Sequence, residues 1–438
     1  MNRKRGLTAL LLAAAMLLSG CAMTTVDQMY SPPRRSQEYN DLQAAIDGAM
    51  EGLSYCAPVS GENQQTIQMA DLDGDGTEEY LLFAKGSSEK PLQILIFNQK
   101  DGSCYLRESI ESLGSGFELV EYVDMDGKPG LEIVVGRQVS DQVLRSLSVY
   151  TFSGGTAEQL MSVSYSKFVA SDLDSDGKTE LMVIAPGDTE ANHAVASLYS
   201  YQDGAMVRSK EVNLSEPADH IKRIMVGNLQ GGIPAVYVAS AVEESAIITD
   251  VFALKNGRFT NVSLSNESGT SVQTLRNYYV YADDIDDDGV LELPSLITME
   301  VKRSEPTHYL IRWYAMLLSG EEVDKMYTFH NFDSGWYLQL DRGWAERITV
   351  DQEGSTYSFF LWDEELRSSE KLMTVFAFTG SNRDEAAVEE GRFVLHKAEG
   401  VVYAAKIEAA AVSCGMTQEN LAQSFHLIHQ DWKTGETE

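Results

Sequence analysis

A turn motif, acidic in four of its five copies, returns along this chain at intervals of about fifty residues, and that recurrence confines the chain to an architecture of repeated units. The five segments are Asp71-Leu-Asp73-Gly-Asp75-Gly76, Asp124-Met-Asp126-Gly-Lys128, Asp172-Leu-Asp174-Ser-Asp176-Gly177, Asn228-Leu-Gln230-Gly-Gly232 and Asp284-Ile-Asp286-Asp-Asp288-Gly289. Their first residues lie 53, 48, 56 and 56 positions apart. Scattered surface acids have no reason to keep such intervals.

A β-type run precedes each turn: Ile67 to Ala70, Leu119 to Val123, Phe168 to Ala170, Ile221 to Val226 and Tyr278 to Tyr281. An apolar run follows, as in Tyr80 to Phe83, Ile133 to Val135 or Leu181 to Ile184, and then a third rich in Leu, Ile and aromatics. Asp101-Gly102, Gly154-Gly155, Asp203-Gly204, Asn256-Gly257 and Ser319-Gly320 come next, most of them suited to two-residue hairpin turns that need positive φ. A fourth strand, such as Cys104 to Ile110 or Phe259 to Leu264, completes the unit. Four sequential antiparallel strands per repeat give the expected fold class: mainly β, a β-propeller of four-stranded blades, five of them over residues 64–331. A sixth or seventh blade has room in the C-terminal region, so blade number stays open. Solenoid repeats are usually shorter.

Residues 332–438 lack the turn. Strand-like runs at Trp336 to Leu340, Arg347 to Val350, Tyr357 to Trp362, Leu372 to Phe378 and Phe393 to His396 are followed by a helix pattern from Thr417 to Trp432. Thr417 suits its N-cap, and Leu421, Phe425 and Ile428 fall on one face. The expectation is a small α+β domain. At the other end, Leu42, Ile46, Met50 and Leu53 mark an amphipathic helix within a lead-in of residues 40–63.

The acidic turns carry the one chemical signal. A hard cation such as Ca²⁺ takes six to eight oxygens, and a loop with acids at positions 1, 3, 5 and 9 and a main-chain carbonyl at 7 surrounds one ion once glycine at position 6 turns it back. Loop one offers Asp71, Asp73, Asp75, the Thr77 carbonyl and Glu79; loop three offers Asp172, Asp174, Asp176, the Lys178 carbonyl and Glu180. Loop five offers Asp284, Asp286, Asp288, the Val290 carbonyl and Glu292. Up to three structural Ca²⁺ ions are expected. Loop two places Lys128 at a ligand position, where its ammonium is expected to replace the ion, and loop four has lost its acids. An EF-hand is excluded, because position 12 is Leu82, Val183 or Ser295 and strands, not helices, flank the loop. The Asp-x-Asp-x-Asp-Gly-x-x-acid loop between strands resembles instead the calcium loop of FG-GAP or VCBS repeats, which implies integrin-like propeller blades.

The N-terminus places the chain. Arg3-Lys4-Arg5, the apolar run Leu7 to Leu18 and Ser19-Gly20-Cys21 read as a signal peptide over residues 1–20, since about twelve apolar residues fall short of a membrane span. Leu18-Ser19-Gly20-Cys21 resembles a lipoprotein lipobox, which implies lipidation of Cys21, a tether over residues 21–39, and a membrane partner through the lipid. That address is the bacterial cell envelope, on the outer side of the cytoplasmic membrane or in the outer membrane. With 34 Lys plus Arg against 66 Asp plus Glu, a net charge of −32 disfavours nucleic acid and anionic surfaces. Besides Cys21 there are Cys56, Cys104 and Cys414, too few for a disulfide framework, with a Cys56–Cys104 bridge and free thiols both open.

Catalytic signatures are missing: no His-Glu-x-x-His, no Gly-x-Ser-x-Gly and no phosphate-binding glycine loop. His426 and His429 suit an ordinary helix, and Trp336, Tyr337 and Trp344 suit a core better than a sugar platform. No catalytic residue is assigned. The combination is similar to VCBS-repeat bacterial lipoproteins, which implies an envelope-displayed, non-catalytic binding module for a protein or glycan ligand. The alternatives are an envelope assembly or maintenance scaffold and a carbohydrate-active enzyme.

Overall fold

The computed structural model describes residues 37–428 except 101–102, 140–144, 188–192, 243–245, 279, 300–307, 346 and 364–367. The signal peptide, Cys21, the Asp101-Gly102 turn and His429 lie outside the described residues, as do most of the tether and the end of the expected C-terminal helix.

The chain is mainly β and forms several antiparallel sheets in succession. Glu79–Lys85, Leu92–Lys100 and Ser103–Ser112 form the first, with Ile67–Ala70 and Ser54–Tyr55 both paired along the free edge of Glu79–Lys85. The second and fourth sheets are plain four-stranded meanders, Gly116–Val123 to Thr156–Tyr165 and Ile221–Leu229 to Arg258–Asn261. In the third, Lys167–Ser171 to Ala205–Arg208, the short strand Val212–Asn213 adds to Ala194–Gln202.

These strands read as continuous apolar runs because both faces are covered. In the third sheet Leu181 and Val183 pack with Val134, Leu147 and Val149 of the second, whereas Met182 and Ile184 pack with Val236, Val238 and Phe252 of the fourth. The same alternation joins first to second, fourth to fifth and fifth to sixth sheets. The two outermost faces meet helical segments. Leu82, Ala84, Leu95 and Phe97 of the first sheet take Ile46 from the helix Gln37–Ala49, and Val402 and Ala404 of the sixth pack with Ala387.

Three expected hairpin turns appear at Gly154-Gly155, Asp203-Gly204 and Asn256-Gly257, each with positive φ at both residues as a two-residue turn of this hand requires. The fifth unit departs from expectation. Tyr278, Val280 and Tyr281 lie in no strand: the neighbouring Arg276 pairs with Ile247 of the fourth sheet, and its guanidinium donates to the Val280 carbonyl at 2.6 Å. The fifth sheet instead runs Leu293–Thr298, Tyr309–Met316, Glu322–Asn331 and Trp336–Leu340, and ends on Phe425–Leu427.

A boundary at residue 331 therefore falls inside a sheet. Trp336 and Phe425 stack at 5.5 Å in a core shared with the sixth sheet, built from Ile348–Glu353, Thr356–Asp363, Ser368–Thr379, Val401–Ile407 and Phe393–Ala398. The C-terminal helix is also shorter than its pattern suggested. It spans Gln418–Gln423, capped by Thr417 and Asn420 in a reciprocal box, and the apolar Phe425 then joins the sheet. Cys56, Cys104 and Cys414 are free thiols.

Candidate metal centres

Each acidic loop is seated by the residue at its second position. Leu72, Met125, Leu173 and Ile285 are buried in cores between or beside the sheets, and Leu229 holds the same place in the eroded fourth loop. The acid at position 9 is buried; Glu79, Glu132 and Glu180 each begin the next strand, and Glu292 immediately precedes Leu293–Thr298. In four loops this Glu accepts the N–H of the anchor: Leu72 to Glu79 at 2.8 Å, Met125 to Glu132 at 2.9 Å, Leu173 to Glu180 at 2.9 Å and Ile285 to Glu292 at 3.2 Å.

The fold brings the carboxylates of positions 1, 3 and 9 together. Asp71, Asp73 and Glu79 have ligand atoms within 4.8 Å of one another, as do Asp124, Asp126 and Glu132, Asp172, Asp174 and Glu180, and Asp284, Asp286 and Glu292. The first Asp also pins the turn: Asp71 accepts the N–H groups of Gly74 at 2.8 Å and Gly76 at 3.0 Å, and Asp284 those of Asp288 at 2.9 Å and Gly289 at 2.8 Å. Position 5 is not part of these groups. Asp75, Asp176 and Asp288 accept the N–H of Thr77, Lys178 and Val290 two residues on, in an Asx-type turn.

The electrostatics of the group ask for a cation. Burial raises the Glu79 carboxyl, with Asp73, Asp75 and Asp71 adding to the rise, and raises Glu180 to about 7 and Glu292 to about 8. Glu292 is fully buried, and its Oε1 accepts no hydrogen bond. The buried Asp73 Oδ1 accepts none either. Unsatisfied carboxylate oxygens in a three-acid cluster carry a desolvation cost that a hard, oxygen-seeking ion relieves. The carboxylates of positions 1, 3 and 9 could together hold a metal ion, and an all-oxygen donor set is compatible with Ca²⁺.

Protein cations stand around each cluster. Arg107 donates to Asp73 at 3.0 Å, Lys178 to Asp176 at 2.7 Å, and Lys325 contacts Asp288. In loop two Lys128 bonds Asp126 and lies 5.3 Å from the Tyr201 ring centroid, so it neutralises one acid from the side rather than filling the cluster. Arg107 and Lys325 come from later strands of their own sheets, Ser103–Ser112 and Glu322–Asn331, and nothing in the loop sequence announces them.

Neighbouring loops are also bonded to each other, by the same link. The N–H at position 8 donates to the carbonyl at position 1 of the preceding loop: Leu131 to Asp71 at 3.1 Å, Thr179 to Asp124 at 2.7 Å and Leu291 to Asn228 at 3.0 Å. The loops thus form a ladder along one end of the stack. No such bond joins loops three and four among the described residues. There Leu229 and Ile233 close loop four into a hairpin, and a cleft of about 760 Å³ lies between the third and fourth sheets.

No family model and no curated protein matches the sequence. Among solved structures, the exotype rhamnogalacturonan lyase YesX aligns over 73% of this chain and 65% of its own, at 14% identity and TM-score 0.32. Bacillus licheniformis rhamnogalacturonan lyase PL11 aligns over 70% and 60% at 13% identity and TM-score 0.31, so the chain spans less than two thirds of either lyase. Saccharomyces cerevisiae Sqt1 aligns over 71% and 74% at 10% identity and TM-score 0.30. Likeness at this level carries neither fold nor chemistry across.

Proposed function

We propose that this chain is a cell-envelope lipoprotein, anchored through lipid on Cys21, whose calcium-stabilised blades of FG-GAP/VCBS type serve as a non-catalytic binding module. The observation that carries the reading is the recurrence of one carboxylate triad, with its buried Glu, at Asp71/Asp73/Glu79, Asp172/Asp174/Glu180 and Asp284/Asp286/Glu292. Bound Ca²⁺ would supply charge neutralisation and tie each loop to the strand that follows it; the chain supplies the carboxylates and the apolar anchor.

The six sheets are read as propeller-type blades. The outer face of the first sheet is covered by the helix Gln37–Ala49, and that of the sixth by the segment around Ala387. The repetition also speaks against an enzyme. A raised Glu beside two Asp residues would suggest an acid–base pair at one site, but the same arrangement at four loops is the behaviour of a structural unit. A scaffold role in envelope assembly shares every feature above and differs only in the partner.

Calorimetric titration of the chelated chain with Ca²⁺ tests the reading. Three sites are expected, falling to two in Asp174→Ala. No heat of binding at millimolar Ca²⁺ would remove the calcium module.

A further inference from the structure

Arg276 is 4% exposed and pairs through its backbone with Ile247 of the fourth sheet. Two nitrogens of its guanidinium are satisfied: Nε donates to the Val280 carbonyl at 2.6 Å, and Nη1 to the Thr274 carbonyl at 2.9 Å and the Thr249 hydroxyl at 3.1 Å. Nη2 is buried and has no hydrogen-bond partner among the described residues. The same holds for the hydroxyls of Tyr278 and of Tyr314, which stands on the strand Tyr309–Met316 of the fifth sheet. These three groups lie near enough to act on one another electrostatically. Other arginines of this acidic chain meet a carboxylate, as Arg107 meets Asp73, Arg145 meets Glu118 and Arg312 meets Asp324. Around Arg276 the titratable groups that act are Tyr278, Tyr314 and Tyr281, none of them an acid at neutral pH.

A buried charge without a counter-charge is costly, and arginine does not escape the cost by losing its proton. Burial pulls this guanidinium down only to about 10, so it stays charged at neutral pH. Water would satisfy the hydrogen bonds and leave the charge. We infer that Arg276 Nη2 and the hydroxyls of Tyr278 and Tyr314 hold a small monovalent inorganic anion of the halide class between the fourth and fifth sheets. One guanidinium matches one negative charge, and N–H and O–H donors match an ion that only accepts. All three atoms are buried, so the ion is one that fits after shedding its water, which excludes phosphate and larger carboxylates. Tyr278 lies in the segment whose expected strand does not form, and the anion ties that segment to the fifth sheet in place of strand pairing. The inference stands apart from the calcium loops.

The test is thermal unfolding of the full chain in detergent, at fixed Ca²⁺ and fixed ionic strength, as chloride or bromide replaces methanesulfonate. Tyr278→Phe and Tyr314→Phe, which each remove one donor and keep the ring, are compared with wild type. The expected result is an unfolding temperature that rises and saturates with halide, with half-saturation moved up about tenfold in each variant, the loss of one charge-assisted hydrogen bond. A crystal soaked in bromide should also show an anomalous peak at hydrogen-bond distance from Arg276 Nη2. A halide response equal in wild type and both variants places the anion elsewhere and overturns the assignment. So does unfolding indifferent to halide with no bromide peak, which leaves Arg276 to water alone.

Discussion

Gly74→Ala and Gly76→Ala separate the cost of a backbone conformation from the cost of loop-on-loop packing. Both glycines have positive φ, +71° and +85°, so a side chain at either meets the left-handed penalty of about 1–2 kcal/mol. A Cβ on Gly76 meets nothing within 4 Å. One on Gly74 would lie 2.3 Å from the Pro129 carbonyl carbon and 2.6 Å from the Gly130 nitrogen, backbone atoms of loop two that the Leu131–Asp71 bond holds in place. Relieving such a clash costs a further ~1–3 kcal/mol. Ser175 and Asp287 take the same conformation at the matching positions of loops three and five, so φ alone does not demand glycine there. Thermal unfolding in calcium is the assay. At about 2–4 °C per kcal/mol for domains of 150–250 residues, Gly74→Ala should melt several degrees below Gly76→Ala. Equal losses, or a larger loss at Gly76, would refute the loop ladder.

Three further outcomes follow from other parts of the molecule. The ring nitrogens of His330 are buried among Trp313, Phe332 and Tyr337, and that burial pulls its imidazole down to about 3, so the folded chain keeps it neutral while the unfolded chain protonates near 6.5. Its contribution is complete above pH 6.5 and is lost as pH falls, at about 1.4 kcal/mol per unit; His330→Phe should flatten the acid limb of a stability–pH curve, and an unchanged limb counts against this. Ile46→Ala, which opens the contact between the N-terminal helix and the first sheet, should cost about 2–4 kcal/mol in denaturant unfolding, where a loss below 0.5 would mean the helix does not cover that face. Cys21→Ser should abolish metabolic fatty-acid labelling and release the chain from the membrane fraction; persistent labelling would place the lipid elsewhere.

The parts of this fold that were legible in the sequence are those set by local chemistry. Dipeptides such as Asn256-Gly257 specify their turn by φ alone, and Thr417 with Asn420 specifies a helix start. The acids of positions 1, 3 and 9 were legible because a repeated interval fixed their register. At position 5, Asp75, Asp176 and Asp288 each accept a backbone N–H two residues away, and spacing alone does not decide between a turn bond and an ion. The apolar residue at position 2 is the more persistent sequence signal, since Leu72, Met125, Leu173, Leu229 and Ile285 share it even where the acids are gone. What remained hidden is non-local. Phe425 belongs to a helical pattern until a sheet edge at Trp336–Leu340 claims it, and Arg107 and Lys325 reach the loops from strands more than thirty residues away.

The most direct test of the calcium loops is thermal unfolding of the chelated chain titrated with Ca²⁺ and then Mg²⁺, beside the triple variant Asp73→Ala, Asp174→Ala, Asp286→Ala. With ~1 mM Ca²⁺ and site constants of ~10⁻⁴ to 10⁻³ M, each site stabilises by roughly 0.4–1.4 kcal/mol. A rise in unfolding temperature that Ca²⁺ produces, Mg²⁺ does not match and the variant loses is the predicted result. An unfolding temperature indifferent to Ca²⁺ in the wild-type chain would contradict the assignment of these loops.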